Sequence, residues 1–334
     1  MKNTIAIGGN LIVDMVKTID VYPTPGMLTN IHAVSSCIGG CAGNTLTDVA
    51  IIDSSLSLRC YGRVGNDDNG RYIRDFMAGK GIDMSAVITD PDQPTSFTDV
   101  MTTPEERTFF HARGANANFT MDDLPFDNMD DVAILHMGYV LLLDAFDRED
   151  PQFGTVMAKT LAKAQKKGIK TSIDVVSEVG ERFKKIVNPC LPYCNYIIIN
   201  EIEASQISGI PLRNTNGKMD EKAVHASINY LFDHGVGDVV CIHCPEGGWY
   251  GTKHGQVAYY PSLNLPKEFI KGKVGAGDAF CAGILYSLFK GFSPDKSLRV
   301  ASASAASNLR EKNSVDGMLP YEEMMKLDNI YGLQ

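Results

Sequence analysis

No run of eighteen apolar residues occurs in the 334-residue chain, which excludes a hydrophobic helix long enough to cross a bilayer. The opening MKNTIAIGGN passes straight into a short strand pattern, without the charged leader and apolar segment of a secretory signal. A cytoplasmic protein with no membrane partner is expected. Positive charge is also in short supply: 31 Lys and Arg stand against 40 Asp and Glu, for a formal net charge of −9. The basic residues are scattered apart from short groups such as Lys166-Lys167 and Lys184-Lys185, so nucleic acid is not expected as the main partner. Two phosphate-binding signatures are missing. Counted from Gly8, a G-x-G-x-x-G pattern needs glycine where Asn10 and Val13 stand, and no G-x-x-x-x-G-K-[ST] is found. Internal repeats and low-complexity tracts are absent, and NTNGKMD at 214–220 reads as a polar loop. Eight cysteines without a secretion signal read as reduced thiols rather than a disulfide framework. Cys241 and Cys244 form a CxxC within DVVCIHCPEGG, where small buried side chains at the end of a strand are expected ahead of zinc or redox chemistry.

What is present is an alternation. The short apolar runs TIAIG, LRCYGRVG, VAILHM, KTSIDVV, NYIIIN and VVCIHC look like strands, and helical patterns such as FGTVMAKTLAKAQKKG and EKAVHASINYLFDHG lie between most of them. That order predicts an α/β fold, a mostly parallel sheet with helices on both faces, whose ligands gather beyond the carboxyl ends of the strands. At 44% hydrophobic and without a compositional break, the chain is expected to form one main domain with an excursion. Two segments interrupt the alternation: residues 11–35, and 95–116, the latter turning at Pro104-Glu105-Glu106 like a hairpin. Both are read as a small β lid over the strand ends. In its second arm Arg107, Phe109, His111 and Arg113 share one face and Thr108, Phe110 and Ala112 the other, one facing substrate or partner and the other packing.

The stretch KGKVGAGDAFCAGILYSLFKG at 271–291 predicts a core helix, since Phe280, Ile284 and Leu288 recur at four-residue spacing with Cys281, Leu285 and Phe289 beside them, and Lys290-Gly291 supplies the stop. Its first turn, Gly275-Ala276-Gly277-Asp278, offers free backbone N–H groups behind side chains too small to obstruct an approaching group. An anion is expected there.

With these residues the chain resembles the PfkB, or ribokinase-like, carbohydrate kinases. VGAGDAF at 274–280 is similar to their C-terminal signature D-T-x-G-A-G-D, and IGGCAGN at 38–44, GRVGNDDNG at 62–70, ERTFFHARGAN at 106–116 and NEIE at 200–203 follow the family order, over about residues 4–320. The resemblance implies a three-layer doubly wound fold with a β lid, and transfer of the γ-phosphoryl group of ATP, with Mg2+, to a hydroxymethyl group of a sugar or sugar acid of the ribose, fructose or 2-keto-3-deoxygluconate type. It implies that the N–H groups of Gly275, Ala276 and Gly277 form an anion hole and that Asp278 accepts the proton of the attacking hydroxyl. Asn200 and Glu203 match its N-x-x-E element, which orders magnesium largely through water; a cap and its partner at a helix start is the other reading of the pair, and the two are compatible. Asp14, Gly39, Gly40 and Asn44 match the acceptor-binding elements, with Asn10 a weaker candidate. Arg107 is assigned to substrate from the lid or to solvent, and Tyr139 to the sugar pocket or to packing. On the nucleotide side stand His243 and Gly248, with His243 otherwise a satisfied strand-end histidine, and Asn308 as an adenine neighbour.

One departure from the family pattern concerns cations. Where Asp-Thr usually precedes x-G-A-G-D the chain has Gly272-Lys273, so the aspartate that helps hold a monovalent cation is missing and potassium is in doubt. Lys273 either replaces that cation or reaches the ATP phosphates, or else faces solvent. A homodimer through the lid is expected by the same resemblance. Rival readings are a nucleoside kinase of the adenosine or inosine type, a catalytically silent sugar-binding regulator, and, more remotely, an NAD-linked oxidoreductase.

Overall fold

The computed structural model describes residues 2–103, 106–178 and 180–334. Each of the six apolar runs forms a strand, because β-branched and apolar side chains on a doubly covered sheet leave no reason for polar alternation. The strands Val87–Asp90, Ser57–Gly65, Thr4–Gly9, Val132–Val140, Lys170–Val175, Tyr196–Asn200 and Val239–Cys244 lie side by side in that order, all parallel. Gly247–Thr252 and Val257–Pro261 extend one edge antiparallel, giving nine strands in all. Two apolar clusters cover the two faces. One packs the helices Cys41–Ile52, Ala276–Lys290 and Pro294–Asn308; the other packs Val156–Lys166, Glu201–Ser208 and Glu221–Asp233. This is the expected α/β fold.

The predicted excursion is a separate four-stranded sheet, in the order Ile31–Gly39, Ile12–Ile19, Phe97–Thr102, Arg107–Ala112. Its outer pairs are antiparallel and its central pair, Ile12–Ile19 with Phe97–Thr102, is parallel. Of the turn expected at Pro104-Glu105-Glu106, Pro104 and Glu105 lie outside the described residues. One expectation fails here: the arm Arg107–Ala112 does not present one face to packing, since Phe109 and Phe110 are both exposed. The reason is that this edge strand belongs to a single layer standing off the body, and in one chain neither of its faces is covered. All eight cysteines are free, Cys241 and Cys244 among the buried ones. No helix of the described residues is long and apolar enough to cross a membrane.

The helix at 271–291 forms as read, over Ala276–Lys290, and stops at Gly291, whose φ of 68° is left-handed. Its N-cap, Gly275, has φ 81°, and a Cβ there would lie 2.7 Å from Ser314 Cβ and O. Only glycine satisfies both demands. The helix Cys41–Ile52 starts the same way at Gly40, φ 81°, where a Cβ would fall 2.3 Å from Asn10 O. These two starts bring two helix N-termini together at the carboxyl ends of the strands.

Candidate active site

Asn10, Tyr139, Asp174, Asn200 and His243 all stand at or just beyond the carboxyl ends of the parallel strands, where open α/β sheets hold ligands. The first turn of Ala276–Lys290 faces them and carries Asp278, which is buried. Asn44, on the other converging helix, donates from Nδ2 to Asp278 Oδ2 at 2.8 Å, and its Oδ1 accepts from Ser314 Oγ at 2.8 Å. Tyr139 Oη donates to Asp278 Oδ1 at 2.7 Å and Oδ2 at 2.8 Å. Burial, reinforced by the charge of Asp174, pushes the Asp278 carboxyl up to about 7, while the bonds from Asn44 and Tyr139 pull it down and Asp14 pushes it up further. A carboxyl tuned to neutrality and held by two side chains is fitted to take a proton near physiological pH.

A cavity of about 210 Å³ opens beside it, lined among others by Asp174, Asn200, Glu203, His243, Gly277 and Asp278. Asn200 caps Glu201–Ser208, and Glu203 answers it: Asn200 Oδ1 accepts from the N–H groups of Ile202 and Glu203, and Asn200 N donates to Glu203 Oε2 at 2.9 Å. Glu203 Oε1 further accepts from Ser177 Oγ at 2.7 Å and from Asn200 Nδ2 at 2.8 Å. The capping box is therefore real, and it holds the carboxylate at the cavity wall. Burial raises Glu203 to about 8, a cost that a cation at this wall would offset. His243 packs against Phe280, the rings tilted by 33° with centroids 4.8 Å apart, and burial holds it down at about 4.

The acceptor residues cluster on the lid side. Asp14 lies against Gly39, where a Cβ would come within 2.6 Å of Asp14 Oδ2, and burial raises its carboxyl to about 6. Asn10 is completely buried, and neither its Oδ1 nor its Nδ2 has a hydrogen-bond partner among the described residues. An unpaired buried amide costs about 1–3 kcal/mol, so this residue points to a polar ligand more strongly than its sequence position did.

Other sequence candidates are not drawn into this cluster. Arg107 is exposed at the far end of the lid, opposite Thr102, whereas the lid end near Asp14 carries Thr98 and His111. Lys273 is exposed on the loop before Gly275. Gly248 pairs with His243 across the sheet, and a Cβ there would meet Phe280 Cζ at 2.8 Å. Asn308 is buried outside the cavity lining and donates from Nδ2 to Ser314 O at 2.5 Å, steadying the turn on which Gly275 and Asn44 rest. Gly272 has a packing reason, since a Cβ would come 2.7 Å from Glu311 O and 2.8 Å from Lys312 Cα. Two participants were not legible: the grip of Tyr139 on Asp278, and Asp174. An acid closing the apolar run KTSIDVV at a strand's carboxyl end was the available signal for the second.

A buried carboxyl at the N-terminus of a glycine-headed helix, beside a capped carboxylate, thus lies between the strand ends and a small β lid, the architecture of the ribokinase-like fold. The chain matches the pfkB family carbohydrate kinase model over residues 5–320 and belongs to that family. It is an ATP-dependent carbohydrate kinase. Among curated proteins it is similar to a 5-dehydro-2-deoxygluconokinase of Halalkalibacterium halodurans, at 26% identity with 88% of this chain and 86% of the relative covered. Among solved structures it is similar to Arabidopsis thaliana ribokinase complexed with ribose and ATP, with TM-score 0.80 at 20% identity and 98% and 99% of the two chains covered. The Methanocaldococcus jannaschii nucleoside kinase shares the fold, with TM-score 0.74 at 18% identity and 99% of each chain covered.

Proposed function

We propose that this protein, one kinase domain spanning residues 1–334, is a cytoplasmic enzyme that phosphorylates the hydroxymethyl group of a deoxy keto sugar acid, with Asp278 as the base. The observation that carries the reading is the hold of Asn44 and Tyr139 on a buried Asp278 tuned to about 7 at the junction of cavity and lid. Asn10, Asp14, the Gly39-Gly40 backbone and Asn44 receive the hydroxyls of the acceptor, Asn10 because its amide is otherwise unpaired. His111 is better placed than Arg107 for an acidic group on the acceptor, because it belongs to the lid end that carries Asp14, while Arg113 beside it is paired with Asp144. The kinase name of the Halalkalibacterium relative supports an acid of this type. Closure of the lid excludes water, which would otherwise compete as nucleophile.

ATP fits the cavity side. Gly275 and Gly277 line it at a helix N-terminus, and a charged phosphoryl group satisfies donors left over by the helix geometry there, whereas the N–H of Ala276 between them donates to Lys273 O at 3.4 Å. Magnesium, held through water by Glu203 with Asn200 orienting that carboxylate, supplies charge neutralisation for the transferred group. His243, on the cavity wall, borders the nucleotide; Gly248 pairs with it from the neighbouring strand and packs on Phe280, and Asn308 supports the turn behind the site. Lys273, exposed on the loop before Gly275, either replaces the monovalent cation or reaches the ATP phosphates, or faces solvent. Replacement predicts that turnover changes less than about twofold on adding potassium to a sodium- and potassium-free buffer, and steep activation would refute it. The exposed Phe109, Phe110 and Val34 of the lid support homodimerisation through it, which light scattering of the purified chain tests directly.

The test of function is ADP release with Mg-ATP over a panel of 5-dehydro-2-deoxygluconate, 2-keto-3-deoxygluconate, ribose, fructose, adenosine and inosine, with Asp278→Asn as control. Selective turnover of a sugar acid, abolished in the control, is expected. Preference for a nucleoside would replace the acceptor assignment, and turnover retained in the control would remove Asp278 from its role.

A further inference from the structure

Behind the catalytic cavity, at its floor, three side chains from three elements converge: Cys41 from the first turn of Cys41–Ile52, His136 from the strand Val132–Val140, and Asp174 from the strand Lys170–Val175. All three are buried. Cys41 Sγ lies 3.1 Å from Asp174 Oδ2 and 3.5 Å from His136 Nε2, and His136 Nε2 lies 3.5 Å from Asp174 Oδ2. Sulfur, nitrogen and oxygen bound tetrahedrally to one zinc-like ion, at about 2.3, 2.0 and 2.0 Å, are separated by roughly 3.3–3.6 Å. Two edges of the triangle, both at 3.5 Å, have that size, and the third, Cys41 to Asp174 at 3.1 Å, is slightly shorter.

The proton inventory leaves the triangle short. His136 Nδ1 is committed to Ser172 Oγ at 2.9 Å, the outer contact that fixes the ring of a metal-ligating histidine. With Nδ1 protonated towards Ser172, Nε2 presents a lone pair, and it faces a carboxylate oxygen. The thiol of Cys41 has one proton for these two acceptors, and the other thiol nearby, Cys281, is 3.8 Å from His136 Nε2, farther than Cys41 is from either acceptor. Among the described residues Asp174 has no Lys or Arg partner, and its Oδ1 is buried without any hydrogen bond while the side chain lines the cavity. Gly138 makes the convergence sterically feasible, since a Cβ there would fall 2.2 Å from Asp174 Oδ1 and 2.3 Å from Cys41 Sγ. Replacing the thiol proton by a dication gives a neutral set: a thiolate, a carboxylate, a neutral imidazole and the ion.

We propose that Cys41 Sγ, His136 Nε2 and Asp174 Oδ2 form a buried site for a zinc-like divalent ion, distinct from the magnesium of phosphoryl transfer. Cys281 Sγ, 3.8 Å from His136 Nε2, stands beside the site as a neutral thiol and is not one of the three ligands. The ion pins the helix that presents Asn44 to the two strands that present Tyr139 and Asp174, and so steadies the base from behind.

The test needs no substrate and stands apart from the kinase assignment. The full-length protein, purified under reducing conditions and freed of metal by dialysis against a chelator, is titrated with Co2+ and followed by absorption. The expected result is one equivalent bound with a thiolate-to-cobalt charge-transfer band in the near ultraviolet and tetrahedral d–d bands in the visible. The thiolate band is lost in Cys41→Ser, reduced at least tenfold in His136→Gln, and kept in Cys37→Ser. Cobalt held only by cavity carboxylates gives weak octahedral bands without thiolate charge transfer, and that outcome overturns the proposal. So does a thiolate band that survives in a folded Cys41→Ser protein, as checked by circular dichroism. Zinc content of the protein as isolated, measured by mass spectrometry, reports the same site independently: below about 0.1 equivalent after growth in zinc-replete medium, with no cobalt band, the site does not exist.

Discussion

Replacing Tyr139 by Phe removes one hydroxyl and leaves the ring, and the consequence can be worked from the geometry. The Tyr139 hydroxyl donates to both oxygens of the Asp278 carboxylate, at 2.7 and 2.8 Å, and so favours its charged form. A hydrogen bond to a charged group contributes about 1.5–3 kcal/mol. At about 1.4 kcal/mol per pH unit, its loss raises the carboxyl by about 1–2 units from its value near 7. At pH 7 the ionised fraction then falls from about a half to roughly 1–10%, and kcat falls about 5- to 50-fold. The assay is the pH profile of kcat for wild type and Tyr139→Phe between pH 6 and 9.5. The acid limb should move upward by about 1–2 units, with most of the activity recovered at high pH. A loss of the same size at every pH, or a limb that does not move, would refute the assignment of Tyr139 as the group that tunes the base.

Two further outcomes are expected. Because burial holds the folded-state pKa of Asp278 near 7 against an ordinary 3.8, the folded chain keeps a proton the unfolded chain has lost, and ionisation costs stability as pH rises through that window. Asp278→Asn should therefore raise Tm at pH 8, by about 3–6 °C for a gain of about 2–4 kcal/mol, and should match wild type at pH 4; a lower Tm at pH 8 would contradict this. Glu203→Gln should raise the magnesium concentration giving half-maximal turnover by about 10- to 100-fold while leaving the KM for acceptor within about twofold; an unchanged magnesium dependence would leave Glu203 a cap only.

Parts of this site were legible because they are local. The helix Ala276–Lys290 announces itself through four-residue spacing and its closing glycine, and the capping box of Asn200 and Glu203 spans three residues. The six strand runs form as read, for the same reason. Asn10 was visible only as a weak candidate, because the sequence carries no sign that its amide ends without a partner. Tyr139 could be read as packing or as pocket, since nothing within a few residues of it distinguishes the two. The packing side expected of the second lid arm is absent because strand alternation defines two faces without saying which of them has a neighbour.

The sequence by itself determined the α/β alternation, the glycine-headed helix at 271–291 and the family, since each rests on periodicity or on residues within one short stretch. Tertiary structure alone decided which groups meet. Asn44 reaches Asp278 across 234 residues of chain and Tyr139 reaches it across 139. It also decided that Cys41, His136 and Asp174 converge, over separations of 95 and 133 residues from Cys41. Such contacts are fixed by the order and register of parallel strands and by the angle at which two helices start, quantities that no local pattern of residues encodes.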